Sequence, residues 1–228
     1  MGYRKAFLFG GLFLTAAALA LTLAGSLLFS LLSVCLGTIV VFFSIFEANG
    51  YRVEKTVLIA VLSAAAAAGR VIFAAVPSVQ PVSFIVILTG MVFGVEAGFL
   101  TGAMGALLSS LLMGFGPWTV WQMFAWGAMG MVSALAGGPL LKNRALLIAY
   151  SAAWGLLFGW IMNVWMFFTV TDAEASGFAY VLAIYAASLP FDAAHGAFNG
   201  ILAAVAGGRM IRMLARAGGK FGLAHKTP

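Results

Sequence analysis

"GPWTVWQMFAWGAMG", residues 116–130, brings three tryptophans, one glutamine and three glycines into a single run. Wide apolar rings at this density do not suit a water-exposed loop, and glycine at this density does not suit a soluble helix. Apolar sequence continues on both sides, as "LLSSLLM" at 107–113 and "MVSAL" at 131–135. A helix that is apolar all round and rich in small residues belongs in a bilayer, where close backbone approach replaces hydrophobic burial as the packing force.

The whole chain agrees. Of its 228 residues, 64% are hydrophobic and 8% charged, and the mean hydropathy is +1.10. A soluble domain carries about 25% charged residues, so this composition cannot cover a water-facing surface. The reading is an all-α integral membrane protein. The net charge of +6 reflects basic residues at segment ends and not a nucleic-acid surface. The single cysteine, Cys35, excludes an intrachain disulfide and a cysteine-based metal cluster.

Eight membrane segments are expected, at 6–24, 27–46, 56–76, 82–95, 97–113, 118–138, 145–169 and 179–208. Arg4 and Lys5 precede the first. At about a full span it is too long for a signal h-region of roughly 7–15 residues. Only Val95-Glu96-Ala97 divides segments four and five. Lys and Arg fall on alternate connections: Arg4 and Lys5, Arg52 and Lys55, Lys142 and Arg144, then Arg209, Arg212, Arg216, Lys220 and Lys226. The other connections lack them, so both termini are expected in the cytoplasm. The organisation is two N-terminal transmembrane helices (1–50), a six-helix core (51–216) and a cytoplasmic tail (217–228).

Gly90, Gly94, Gly98 and Gly102 recur every four residues, as do Gly155 with Gly159 and Gly196 with Gly200. Such rows pack helices together inside a bundle. Ala60, Ala64 and Ala68 make a similar stripe, suited either to the bundle interior or to a partner helix. Arg70, Asn163, Asp192, His195 and Asn199 lie at membrane depth, where a polar side chain is costly and marks a site or an internal pair. Arg70 and Asp192 are close enough in depth to pair. Asp192 and His195 are three apart, but no further His, Cys or carboxylate completes a metal set, so no metal is expected. Pro190 should kink or loosen the last segment.

Trp118, Gln122 and Trp126 are four apart, and Trp121 follows Trp118 by three, which places them on one side of a helix. A membrane-interface belt accounts for Trp118 but not for Trp126 two turns deeper. With Trp160 and Asn163 on the next segment and Gln80 in the loop "PSVQPVSF", they suggest an outward-facing pocket with rings to stack on a ligand and amides to bond it.

"GRVIFAAVPSVQPVSFIVILTGMVFGVEAGFLTGAMGALLS" (69–109), "GFGPWTVWQMFAWGAMG" (114–130) and "LPFDAAHGAFNG" (189–200) resemble the substrate-binding S-component of an energy-coupling factor (ECF) vitamin transporter. The resemblance covers about 56–212 and is closest to the cobalamin-associated branch. It implies a subunit that captures a vitamin, cobalamin or another, or a queuosine-type precursor. No permanently bound cofactor is implied. The partners would be a membrane coupling subunit and two cytoplasmic ATPases, which alone use ATP; the chain itself has no phosphate-binding loop. Gln80, Trp118, Trp121, Gln122, Trp126, Trp160, Asn163 and Asp192 become the substrate-binding candidates, and Ala60, Ala64 and Ala68 the docking surface. A membrane-embedded enzyme acting on a lipid or prenyl substrate is the alternative of another class, with Asp192 and His195 as its only chemistry. A stand-alone channel is a third, and no inverted repeat supports it.

Overall fold

The computed structural model describes residues 27–48, 52–170 and 177–223, with scattered helical positions between 14 and 21. The first expected segment, 6–24, lies largely outside the described residues. The rest is helical: α1 (Leu27–Ala48), α2 (Val53–Ile72), α3 (Val82–Phe93), α4 (Val95–Met113), α5 (Pro117–Leu135), the short α6 (Gly137–Lys142), α7 (Arg144–Val170), α8 (Phe178–Leu202) and α9 (Gly208–Phe221). A π-helical turn, Ala203–Gly207, joins the last two. Among the described residues, five stretches are long and apolar enough to cross a bilayer: Leu27–Glu47, Val53–Ile72, Val95–Met113, Arg144–Phe167 and Phe178–Phe221. The protein is an all-α membrane protein.

Helix boundaries follow local chemistry. Glu54 lies in the first turn of α2, where a negative charge suits the helix dipole. Gly94, with φ +90°, ends α3 and begins α4, so segments four and five are two helices, but the break falls at Gly94 and the expected divider Val95-Glu96-Ala97 is the first turn of α4. Only glycine enters that backbone region without strain. Pro117 takes the first position of α5, and the Gly116 N–H donates to Thr119 Oγ1 at 3.2 Å, a side-chain cap. Gly222, at φ +62°, closes α9, and the Leu223 N–H reaches back to the Gly218 carbonyl at 2.7 Å, as glycine C-caps do.

α3 is the hub. Every residue in it except Ile85 is buried. At 12 residues it is about 18 Å long, well short of the roughly 30 Å hydrocarbon core. α4 and α5 pack against it, α2 lies beyond α4, and α7 pairs with α8 on the other side. The glycine rows explain how closely these helices approach. A Cβ at Gly90 would overlap the Gly130 carbonyl oxygen, one at Gly102 would overlap that of Trp126, and one at Gly155 would lie 2.5 Å from Gly196 Cα. Backbone therefore meets backbone within α3–α4–α5 and within α7–α8.

α1 lies on α4 and α5. Phe42 stacks on Phe99 with centroids 3.8 Å apart, and Cys35 is buried beside Trp121 and Trp165. Pro190 lies inside a helix that is continuous from Phe178 to Leu202. α9 carries the helical chain to Phe221, across the expected core boundary at 216.

Candidate functional site

The loop after α2, the middle of α7 and the middle of α8 line a partly open cavity of about 150 Å³. Gln80 and Ser78 come from the loop, Phe158, Met162 and Asn163 from α7, and Asp192 and His195 from α8; Gly155 and Gly159 leave the space. The wall combines aromatic, amide and carboxylate groups. That composition suits a flat polar molecule better than a lipid tail.

Two hydrogen-bond chains hold the wall. In the first, Asn163 Nδ2 donates to Ser188 Oγ at 2.6 Å, and Ser188 Oγ donates to Asp192 Oδ2 at 2.8 Å. The second runs through His195. Its Nδ1 lies 2.7 Å from the Ser78 carbonyl oxygen, which can only accept, so Nδ1 carries a proton. In the neutral ring Nε2 then accepts from Ser83 Oγ at 2.9 Å. The hydroxyl oxygen of Ser83 in turn accepts the Trp126 indole N–H at 3.1 Å. This chain leaves each donor matched to an acceptor and joins the loop to α3, α5 and α8.

Trp126, fully buried, is the crossing point. Its ring stacks on Phe158 at 4.3 Å between centroids, and the Arg70 guanidinium lies 5.0 Å from its centroid. Phe158 contacts the His195 ring at 5.6 Å. Arg70 does not pair with Asp192. It donates to Ser109 Oγ of α4 at 2.9 Å and lies over the Trp126 ring instead.

Of the eight substrate-binding candidates, the structure brings Gln80, Asn163 and Asp192 together around the cavity, with Trp126 behind Phe158. It places the others elsewhere. Trp121 is buried against Cys35 and Trp165, its N–H bonded to the Ile161 carbonyl at 2.8 Å. Trp118 is 40% exposed and Trp160 44%, the latter edge-on to Tyr185. Gln122 is half-buried, and its Oε1 has no hydrogen-bond partner among the described residues. The common face expected for the three tryptophans of α5 is therefore corrected. Five residues separate Trp121 from Trp126, which is about 140° around a helix, and they look to different neighbours.

Ser78, Ser83, Phe158, Met162 and Ser188 were not singled out from the sequence. Phe158 and Met162 are four apart, as Gly155 and Gly159 are, and that double row was the available signal for an α7 cavity wall. The alanine stripe is resolved more directly. Ala60, Ala64 and Ala68 are all exposed, while Ile59, Leu62, Ser63, Ala66 and Ala67 form the buried face of α2. The stripe does not belong to the bundle interior.

No curated protein and no solved structure matches the chain. A family model described as "ECF-type riboflavin transporter, S component" matches residues 50–211. The match includes the hub helix, both sides of the cavity and the alanine stripe. It names riboflavin and lends no support to the cobalamin branch. The match covers most of the chain, and the chain belongs to the ECF S-component family: it is a multi-pass, vitamin-binding transport subunit that works with an ECF module, and as a member of that family it is a substrate-binding subunit and not an enzyme.

Proposed function

We propose that the protein captures riboflavin, or a vitamin with a similarly flat heteroaromatic ring, in the cavity between the 73–81 loop, α7 and α8. The observation that carries this reading is the convergence of Gln80, Asn163 and Asp192 beside Phe158, with Trp126 stacked behind. Amides and a carboxylate can bond the ring edge of such a ligand, and the aromatic side can take its face. Two considerations favour riboflavin over cobalamin. The family description names it. The cavity, at about 150 Å³, is also below the roughly 300–1,000 Å³ of ordinary ligand pockets. It must open to admit even a small vitamin, and a corrinoid would require far more room.

Riboflavin fluorescence tests this directly. Purified protein should quench it with saturable, one-to-one stoichiometry. Asn163→Ala should weaken binding by about tenfold or more, the cost of leaving a buried polar partner unmatched. Protection by cobalamin or a queuosine-type precursor, with no response to riboflavin, would assign a different ligand.

The exposed Ala60/Ala64/Ala68 stripe is the surface by which the protein meets the membrane coupling subunit, since its small side chains let a partner backbone come close. Ala64→Trp should bind vitamin normally and lose nearly all uptake when co-expressed with the ECF module. Full uptake by this variant would remove the stripe from the docking role. In this reading the end carrying Arg52, Lys142 and Arg144 is cytoplasmic. A cysteine at Lys142 should therefore label only after the membrane is permeabilised; labelling in intact cells reverses the orientation.

A further inference from the structure

We propose that the exposed basic face of α9 is a binding strip for the phosphate of anionic phospholipid headgroups. Arg209, Arg212, Arg216 and Lys220 are all exposed along this helix. Their spacing of three, four and four keeps them on one side. The opposite side is packed: Leu214 and Gly218 are buried, and Met210, Ile211 and Ala215 lie against the main core.

The position of α9 favours a lipid surface over bulk water. At the π-turn the helical chain leaves α7 and packs against α3, the short hub. At its far end the Arg52 guanidinium donates to the carbonyls of Phe221 at 2.8 Å and Gly222 at 3.0 Å. Arg52 precedes α2, so α9 crosses the end of the bundle where the helix-end cations gather. Arg144 is there too, bonded to the Ala204 carbonyl. Just before this crossing, Ile201 is 58% exposed and Val205 81% exposed. The next exposed side chain that is not glycine is Arg209. The outward surface thus changes from apolar to cationic within one turn, as a helix does on passing from acyl chains to headgroups. Met213 and Phe221, 47% and 45% exposed, add apolar area beside the cations.

Among the described residues no carboxylate forms an ion pair with this face. Among the described residues the ion pair found is Lys55–Glu96. Glu54 shares a surface groove with Phe221 but forms no ion pair there. Arg216 Nε donates to the Arg212 carbonyl at 3.3 Å and Lys220 Nζ lies 5.6 Å from the Phe221 ring centroid, contacts that leave both charges uncompensated, so the row of four cations matches the repeated phosphates of an anionic leaflet.

Native mass spectrometry of the full chain, offered equal phosphatidylglycerol and phosphatidylcholine, tests the assignment. At low ionic strength the bound ratio should favour phosphatidylglycerol by on the order of tenfold, and added KCl should reduce it. Replacing Arg209, Arg212, Arg216 and Lys220 together by Gln should bring the ratio near one, with vitamin binding kept as the check on folding. Replacing the three arginines by Lys should preserve the preference. Soluble glycerol phosphate at the same concentration should not displace the lipid. Equal retention of both lipids by the native chain overturns the proposal, as does an unchanged ratio in the Gln variant. An unchanged ratio with lost binding to the ECF module would assign the strip to a protein partner instead.

Discussion

Gly130→Val is expected to leave little folded protein in a detergent extract. The reason lies in three backbones. A Cβ at Gly130 would overlap the carbonyl oxygen of Gly98, and a Cβ at Gly90 or Gly98 would meet the Gly130 carbonyl in return. The obstructing atoms are main chain in buried helices, so no side chain can rotate away to make room. Overpacking a core typically costs about 1–3 kcal/mol. Here valine brings three carbons to a contact with no slack, and α3, α4 and α5 must separate together. Gly219→Ala is the matched control, because nothing lies within 4 Å of a Cβ there; alanine should melt at or slightly above the native temperature. Thermal unfolding of the solubilised proteins decides the matter. A Gly130→Val variant melting within a few degrees of the native protein would show that the helix contact is looser than described.

Trp126→Ala should abolish measurable vitamin binding, a loss of at least about 100-fold. Removing a fully buried tryptophan costs about 3–5 kcal/mol through the cavity it leaves. The ring also supports Phe158 on the cavity wall and, through Ser83, the acceptor side of His195. Trp126→Phe separates these roles. It keeps a ring against Phe158 and removes the N–H donor to Ser83, a net loss of about 1 kcal/mol, so binding should fall by about tenfold or less. Riboflavin titrations of both variants read the outcome directly. Native affinity in a folded Trp126→Ala protein would detach the stack from ligand capture.

Much of the fold was legible in the sequence because the bilayer imposes lengths and small residues impose contacts. The existence of a break between segments four and five, expected at 95–97 and found one residue earlier at Gly94, and the rows ending at Gly102 and Gly200 are local signals with local causes. The site was legible only in part. Asn163 and Asp192 announced themselves as costly groups at membrane depth, and the cavity includes both. The tryptophans misled the spacing argument, since residues three and four apart share a face only in pairs and five residues turn the helix nearly half round. Arg70 shows a second limit. Its depth is close enough to that of Asp192 for a pair, but depth does not fix which neighbour a side chain faces, and Ser109 on α4 receives the guanidinium instead.

The distribution of glycine contacts has a mechanical consequence. Main chain touches main chain inside α3–α4–α5 and again inside α7–α8. Between these two slabs the described links are made by side chains: Trp126 on Phe158, His195 to Ser83, Tyr150 to Ser133, and Trp121 to the Ile161 carbonyl. The cavity lies beside this joint, between the 73–81 loop, α7 and α8. Each slab is held by main-chain contact and the joint by side-chain bonds, so a change of angle between the two leaves is the deformation these contacts resist least.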